Sequence, residues 1–164
     1  MSRSVSDAAD KPGEMTPAPG VDLSEGPDTD VFVVRAASAR ESQFLSARFR
    51  FLATTVETAG RYSFLALDVP VGSGPRPHIH QEADEWFYVL DGNPVFHVDD
   101  RTFNLSEGDF VHIPMGTTHW FEVLDAPIKV LAGYSPAGEE LAFLAGRAPD
   151  QETQARADAD EMPR

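Results

Sequence analysis

From residue 31 onward, apolar and polar side chains alternate in short runs separated by Gly, Pro, Asp, Asn and Ser. A period of two puts successive side chains on opposite faces of an extended chain, so the pattern predicts many short strands. The expected strands cover 31–35, 48–54, 61–69, 78–80, 85–90, 94–98, 101–105, 109–113, 118–123 and 128–135. Turn residues stand between them at Gly60, 72–77, Asp91-Gly92-Asn93, Asp99-Asp100 and Ser106-Glu107-Gly108. The Asp99-Asp100 pair reads as a tight hairpin connection. One stretch, 137–145 (AGEELAFLA), reads as a short helix whose Leu141, Phe143 and Leu144 could cap a barrel or pack on a neighbour. No segment repeats another, so the pattern describes one all-β unit.

The ends of the chain differ from this middle. Residues 1–30 are rich in Asp, Pro, Gly, Ser and Ala, with Pro12, Pro17, Pro19 and Pro27 against any helix, and are expected to be a disordered extension. Residues 150–164 form a polar tail with no apolar stripe. The expected organisation is therefore an N-terminal extension over 1–30, one domain over 31–149 and a tail over 150–164.

Composition narrows the function classes. A chain of 164 residues with 41% hydrophobic content supports one domain with a real core. The absence of cysteine excludes disulfides, thiolate metal sites and cysteine nucleophiles. The net charge is −14, and the two ends carry −8 of it: seven acids against two bases over 1–30, five against two over 150–164. Nucleic acid is not an expected partner, because phosphate neutralisation needs clustered Lys and Arg. No apolar run approaches the roughly 18–20 residues of a membrane span, and residues 1–15 hold no apolar signal core. A cytoplasmic protein without a membrane partner is expected.

The chemistry is concentrated in two motifs. The first is Gly72-x5-His78-x-His80-x4-Glu85-x6-Gly92, and the second is Gly108-x5-Pro114-x-Gly116-x2-His119. Three imidazoles and one carboxylate form a ligand set for a divalent transition metal. His78 and His80 are two apart, so on an extended strand they share a face. His119 must arrive from another strand, and a small closed β-barrel with inward ligands would join them.

These paired motifs resemble those of the cupin superfamily, G-x5-H-x-H-x3,4-E-x6-G followed by G-x5-P-x-G-x2-H-x3-N. The first matches at every fixed position, and the second at all but the last, where Val123 replaces Asn. The motifs span 72–123, and the strand pattern extends the likeness to roughly 31–146. The resemblance implies a single cupin β-barrel (a double-stranded β-helix, or jelly roll) with a short C-terminal helix between acidic disordered tails. It also implies one divalent metal per chain (Fe, Mn, Ni, Co, Cu or Zn) held by His78, His80, Glu85 and His119, and a homodimer.

If the ligands face the lumen, alternation turns Phe87, Val89, Phe121 and Val123 inward with them and sends Trp86, Tyr88 and Trp120 to the outer face. An apolar lumen with one polar centre suits a small molecule. His97 and His112 lie off the motifs and read as structural. Asp84 would fit the shorter x3 spacing but alternates away from Phe87, so Glu85 is the expected ligand. Among cupins, this set looks most like the quercetinase-type dioxygenases. That likeness implies a flavonol-like enolisable or phenolic substrate and O2 as partners. Glu85 would act as catalytic base and ligand, and Phe87, Phe121 and Tyr62 would stack on the ring, with Val89 and Val123 beside them. The other readings are a metal-dependent isomerase, cyclase or lyase of a polyketide- or sugar-like molecule, and a non-enzymatic binder.

Overall fold

Strand pairing in this chain places Phe87, Phe96 and Phe121 in one cluster between two sheets, and the fold follows from burying it. The computed structural model describes residues 21–22 and 31–145. Most of the tails assigned to disorder lie outside these residues. Two residues of the N-terminal stretch do form structure: β1 (Val21–Asp22) pairs antiparallel with β2 (Val33–Val34). The expected strand at 31–35 is thus shorter and is paired by a segment that its composition marked as unstructured.

The larger sheet has six strands. They are β3 (Glu41–Phe44), β4 (Ala47–Ala53), β5 (Ser63–Val69), β6 (Asp84–Asp91), β9 (Phe110–Ile113) and β11 (Ile128–Ser135), in the order β3-β4-β5-β11-β6-β9. The smaller sheet joins β7 (Val95–Val98), β8 (Arg101–Asn104) and β10 (His119–Glu122) in the order β10-β7-β8. All of these pairings are antiparallel. Two short helices, α1 (Thr55–Thr58) and α2 (Glu140–Leu144), complete the described chain. The result is a single cupin β-barrel with a short C-terminal helix.

Alternation accounts for the core. Along β5 the even partners Phe64, Ala66 and Asp68 face outward, while Ser63, Leu65, Leu67 and Val69 are buried. On β6, Glu85, Phe87 and Val89 point in and Trp86 and Tyr88 point out. The inward rings interlock across the sheets: Phe87 to Phe96 at 5.0 Å, Phe96 to Phe121 at 5.2 Å and Phe87 to Phe121 at 5.8 Å between centroids. Burying each such ring contributes on the order of 2–3 kcal/mol.

The outer face is also packed. Trp86 lies across the backbone of Gly133, where an added Cβ would meet its ring at 2.1 Å, and is flanked by Phe64 (5.2 Å) and Phe110 (6.3 Å). Glycine at 133 is what lets an indole cover the strand. Trp120 stacks on His97 at 4.4 Å with an interplanar angle of 9° on the outside of the smaller sheet. His97 is also placed there by Thr102 and Glu122, away from the lumen.

Besides β1, two further elements were not expected. The hairpin of β3 and β4 turns on Leu45-Ser46, both with positive φ (46° and 69°). Such turns normally announce themselves with Asn or Gly, and this one does not. The helix α1 opens with a capping box: the Thr54 hydroxyl accepts from the N3 backbone N–H, and Glu57 Oε2 accepts from Thr54 N–H at 2.9 Å. At four residues it is too short to show a periodic apolar stripe.

Candidate metal centre

The two motifs meet because His78 and His119 exchange both backbone hydrogen bonds. His78 N–H donates to His119 O (3.1 Å), and His119 N–H donates to His78 O (2.9 Å). The expected strand over 78–80 reduces to this single bridge. The loop before it must pass close to β10, and it can do so at Gly74, φ +154°, where a Cβ would sit 2.3 Å from Phe121 O. His80 is held by the other side of the turn, its carbonyl accepting from Gly116 N–H at 2.8 Å. Glu85 comes from the start of β6, one strand position from Asp84.

The four side chains converge. One ligand atom from each of His78, His80, Glu85 and His119 lies within 4.8 Å of every other. Three of the four residues are buried, with His80 at 5%, Glu85 at 3% and His119 at 3% exposure. Each imidazole is turned by its Nδ1. That of His78 donates to Arg76 O (2.9 Å), that of His119 to Thr117 O (2.9 Å), and that of His80 faces Glu139 Oε2 (3.1 Å). This leaves the Nε2 atoms for the centre. His119 Nε2 lies 2.7 Å from Glu85 Oε2. His80 Nε2 is 3.3 Å from the same oxygen, yet buried without a hydrogen-bond partner. A buried, unpartnered imidazole nitrogen aimed at a carboxylate and two further imidazoles is what a bound cation would satisfy. These residues therefore fit a divalent transition metal.

The electrostatics of the metal-free site are strongly polarised. Burial, then the neighbouring His119, pushes His78 down to about 4. Burial also opposes charge on His80, but Glu139 and Glu85 outweigh it and raise His80 to about 9. Burial works against ionised Glu85, yet contacts with His119 and His80 hold it well below the usual carboxylate range. Burial and the Glu85 charge raise Tyr134 well above an ordinary phenol. Perturbation of this kind clusters at functional sites.

The ligand group forms one wall of a cavity of about 1140 Å³. Phe87 and Phe121 line it, as alternation predicts, together with Phe44, Phe49, Leu67, Val69 and Phe143. Val89 and Val123 do not line it; they are buried beneath, one inward position further along their strands. Tyr62 does not line it either, and stands 41% exposed before β5. Asp84 turns away, accepting from Met115 N–H at 2.9 Å and facing His112 at 3.4 Å. That hydrogen bond holds its carboxyl below the ordinary range.

Two polar residues of the wall that meet His80 were absent from the sequence reading: Tyr134, its ring 5.2 Å from the imidazole, and Glu139. Alternation along β11 from Val130 and Ala132 carries Tyr134 inward, a signal present in the sequence. Glu139 had no signal, because its place depends on the chain folding back after β11.

Comparison with known proteins agrees with this architecture. Residues 66–134 match the family described as "Cupin domain". An uncharacterized protein of Methanocaldococcus jannaschii is 35% identical over 74 residues, 44% of this chain and 59% of that one. Quercetin 2,3-dioxygenase of Bacillus subtilis is 27% identical over 113 residues, 68% of this chain and 33% of that one. Acireductone dioxygenase of Gluconacetobacter diazotrophicus is 42% identical over 48 residues, 27% of each. The chain thus spans well under two thirds of the length of each of these relatives. Among solved structures, an RmlC-like cupin from Shewanella frigidimarina superposes with a TM-score of 0.59 at 17% identity, over 66% of this chain and 94% of that one, which speaks to the fold. The paired motifs, the barrel and the converged ligand group agree with the family match over 66–134, and this chain folds as a single cupin barrel that resembles the quercetinase-type cupins.

Proposed function

We propose that this protein is a metal-dependent dioxygenase acting on an enolisable or phenolic small molecule of flavonol-like shape. The observation that carries the reading is the position of the His78–His80–Glu85–His119 group on the wall of a largely apolar cavity of about 1140 Å³. That is room for a drug-sized ring system with few polar contacts. The relatives that are dioxygenases support the same reaction class.

A divalent metal held by these four residues would supply Lewis-acid activation of an enolic or phenolic oxygen and electron transfer toward dioxygen. The remaining work falls to this chain's own side chains. Glu85 is the one carboxylate of the group and is assigned the substrate hydroxyl proton. The His119 and His80 contacts that hold it ionised also weaken it as a base, so the reading requires a substrate hydroxyl that is itself acidic, as an enol or phenol is. Phe87 and Phe121 form the floor against which a planar ring would lie, and Phe44, Phe49 and Phe143 form the far bay. Their bulk excludes water from the reacting face, which strengthens the electrostatics of the site.

The test is oxygen uptake by the metal-reconstituted protein with a panel of flavonols and other enolisable aromatics. Uptake should require substrate and metal, and be abolished by His119→Ala. Turnover of the same compounds under strict anaerobiosis would replace this reading with an isomerase or lyase acting by proton transfer. Ligand binding without turnover in either atmosphere would leave a non-enzymatic binder.

A further inference from the structure

Among the described residues, Glu139 is the acidic residue of the cavity wall that lies outside the motifs and still meets a ligand of the centre. His78 and His119 are oriented by carbonyls two residues before them, Arg76 O and Thr117 O. His80 instead meets a carboxylate from the segment that follows β11, with Nδ1 3.1 Å from Glu139 Oε2. Resting on the metal reading above, we propose that Glu139 is a positioning residue for the centre: it takes the His80 Nδ1–H and holds that ring with Nε2 turned toward Glu85.

The segment that carries Glu139 is fixed independently of His80. Ala137 N–H donates to Gly60 O at 3.0 Å. The neighbouring Glu140 is fully buried and accepts from Gly138 N–H at 2.7 Å and Thr55 N–H at 2.6 Å. Phe143 stacks on Phe49 at 4.7 Å, docking α2 over the rim. The two adjacent acids therefore divide the work. Glu140 ties the start of α2 to the start of α1, and Glu139 is presented to the imidazole from an anchored backbone.

A carboxylate does more here than a carbonyl would. Either acceptor selects the Nδ1–H tautomer and aims Nε2 at the centre. The carboxylate also adds a negative charge behind the ring, which strengthens the imidazole as a donor and favours a cation in front of it. Orientation and charge can be separated, because Gln retains an acceptor oxygen and lacks the charge.

The experiment is metal affinity of the full chain. The chain is stripped by chelation, then titrated with Co(II) and with Zn(II) against a chromophoric competitor. Glu139→Ala is expected to bind about 10- to 100-fold more weakly than wild type, with Glu139→Gln in between. The visible spectrum of the Co(II)-loaded chain should change in Glu139→Ala and stay close to wild type in Glu139→Gln. Thr55→Val serves as the control, since it removes one hydroxyl from Glu140 and loosens α2 without touching Glu139. It should lower thermal stability while leaving affinity within about threefold of wild type, well below the roughly 10- to 100-fold loss expected of a lost outer-shell partner. Glu139→Ala binding as tightly as wild type would overturn the proposal, as would an equal loss in Thr55→Val. A wild-type chain that binds neither metal would instead overturn the underlying reading of the site.

Discussion

Moving the metal-free chain away from about pH 6.5, in either direction, should destabilise it through two histidines only a residue apart. His78 titrates at about 4 in the folded chain against 6.5 when unfolded. Between those values the unfolded chain binds a proton that the folded chain refuses, so stability rises with pH across this window. Two and a half units at about 1.4 kcal/mol each amount to about 3 kcal/mol. His80 has the opposite sign, at about 9 folded against 6.5 unfolded. Its contribution is fully present below pH 6.5 and is lost as pH climbs through 9, again about 3 kcal/mol. Glu85, depressed by its histidine partners, adds to the acid side, since its contribution is lost as pH falls through its folded value. The assay is urea unfolding in excess chelator at about pH 4.5, 6.5 and 9, followed by tryptophan fluorescence and circular dichroism. The unfolding free energy should peak at the middle value. His80→Gln should remove the alkaline limb and leave the acid limb. Equal stability at 6.5 and 9, or an alkaline limb that survives in His80→Gln, would refute the reasoning.

The packing of Gly133 and of Phe143 can each be tested by one substitution. Gly133→Ala would drive a Cβ to 2.1 Å from the Trp86 ring and 2.7 Å from Ser63 O. Because Trp86 is flanked by Phe64 and Phe110, relief requires displacing the indole, and a loss of about 1–3 kcal/mol with a changed tryptophan emission is expected in denaturant unfolding. Unchanged stability would mean the sheet yields more readily than its packing indicates. Phe143→Ala removes the ring that stacks on Phe49 at 4.7 Å and tilts against Phe44 at 5.7 Å. It should cost about 3 kcal/mol in thermal unfolding and raise protease cleavage near α2, and no change in either would contradict the role given to this helix.

The strands and the ligands were legible in the sequence for one physical reason. A strand repeats every two residues, so alternation along 61–69, 85–90 and 128–135 states which side chains share a face before any partner strand is known. His78, His80, Glu85 and His119 could be named because a metal needs several donors, and their spacing limits how strands can supply them. The same rule sent Phe87 and Phe121 toward the site and Trp86 to the outside, where the structure places them.

The fold alone decided what depends on distance rather than period. Alternation says that Val89 and Val123 face inward, but not how far down the lumen the floor closes, and the rings of Phe87 and Phe121 close it above them. Tyr62 looked close to β5 in sequence and stands outside the cavity in space. The Leu45-Ser46 turn carries no glycine to announce it, so β3 and its contribution of Phe44 to the cavity were invisible. Glu139 reaches His80 only because the segment after β11 is pinned by Glu140, a contact between residues distant in sequence that no local pattern encodes. Local periodicity determines which face a residue takes. Which residues meet across that face is set by the closure of the barrel.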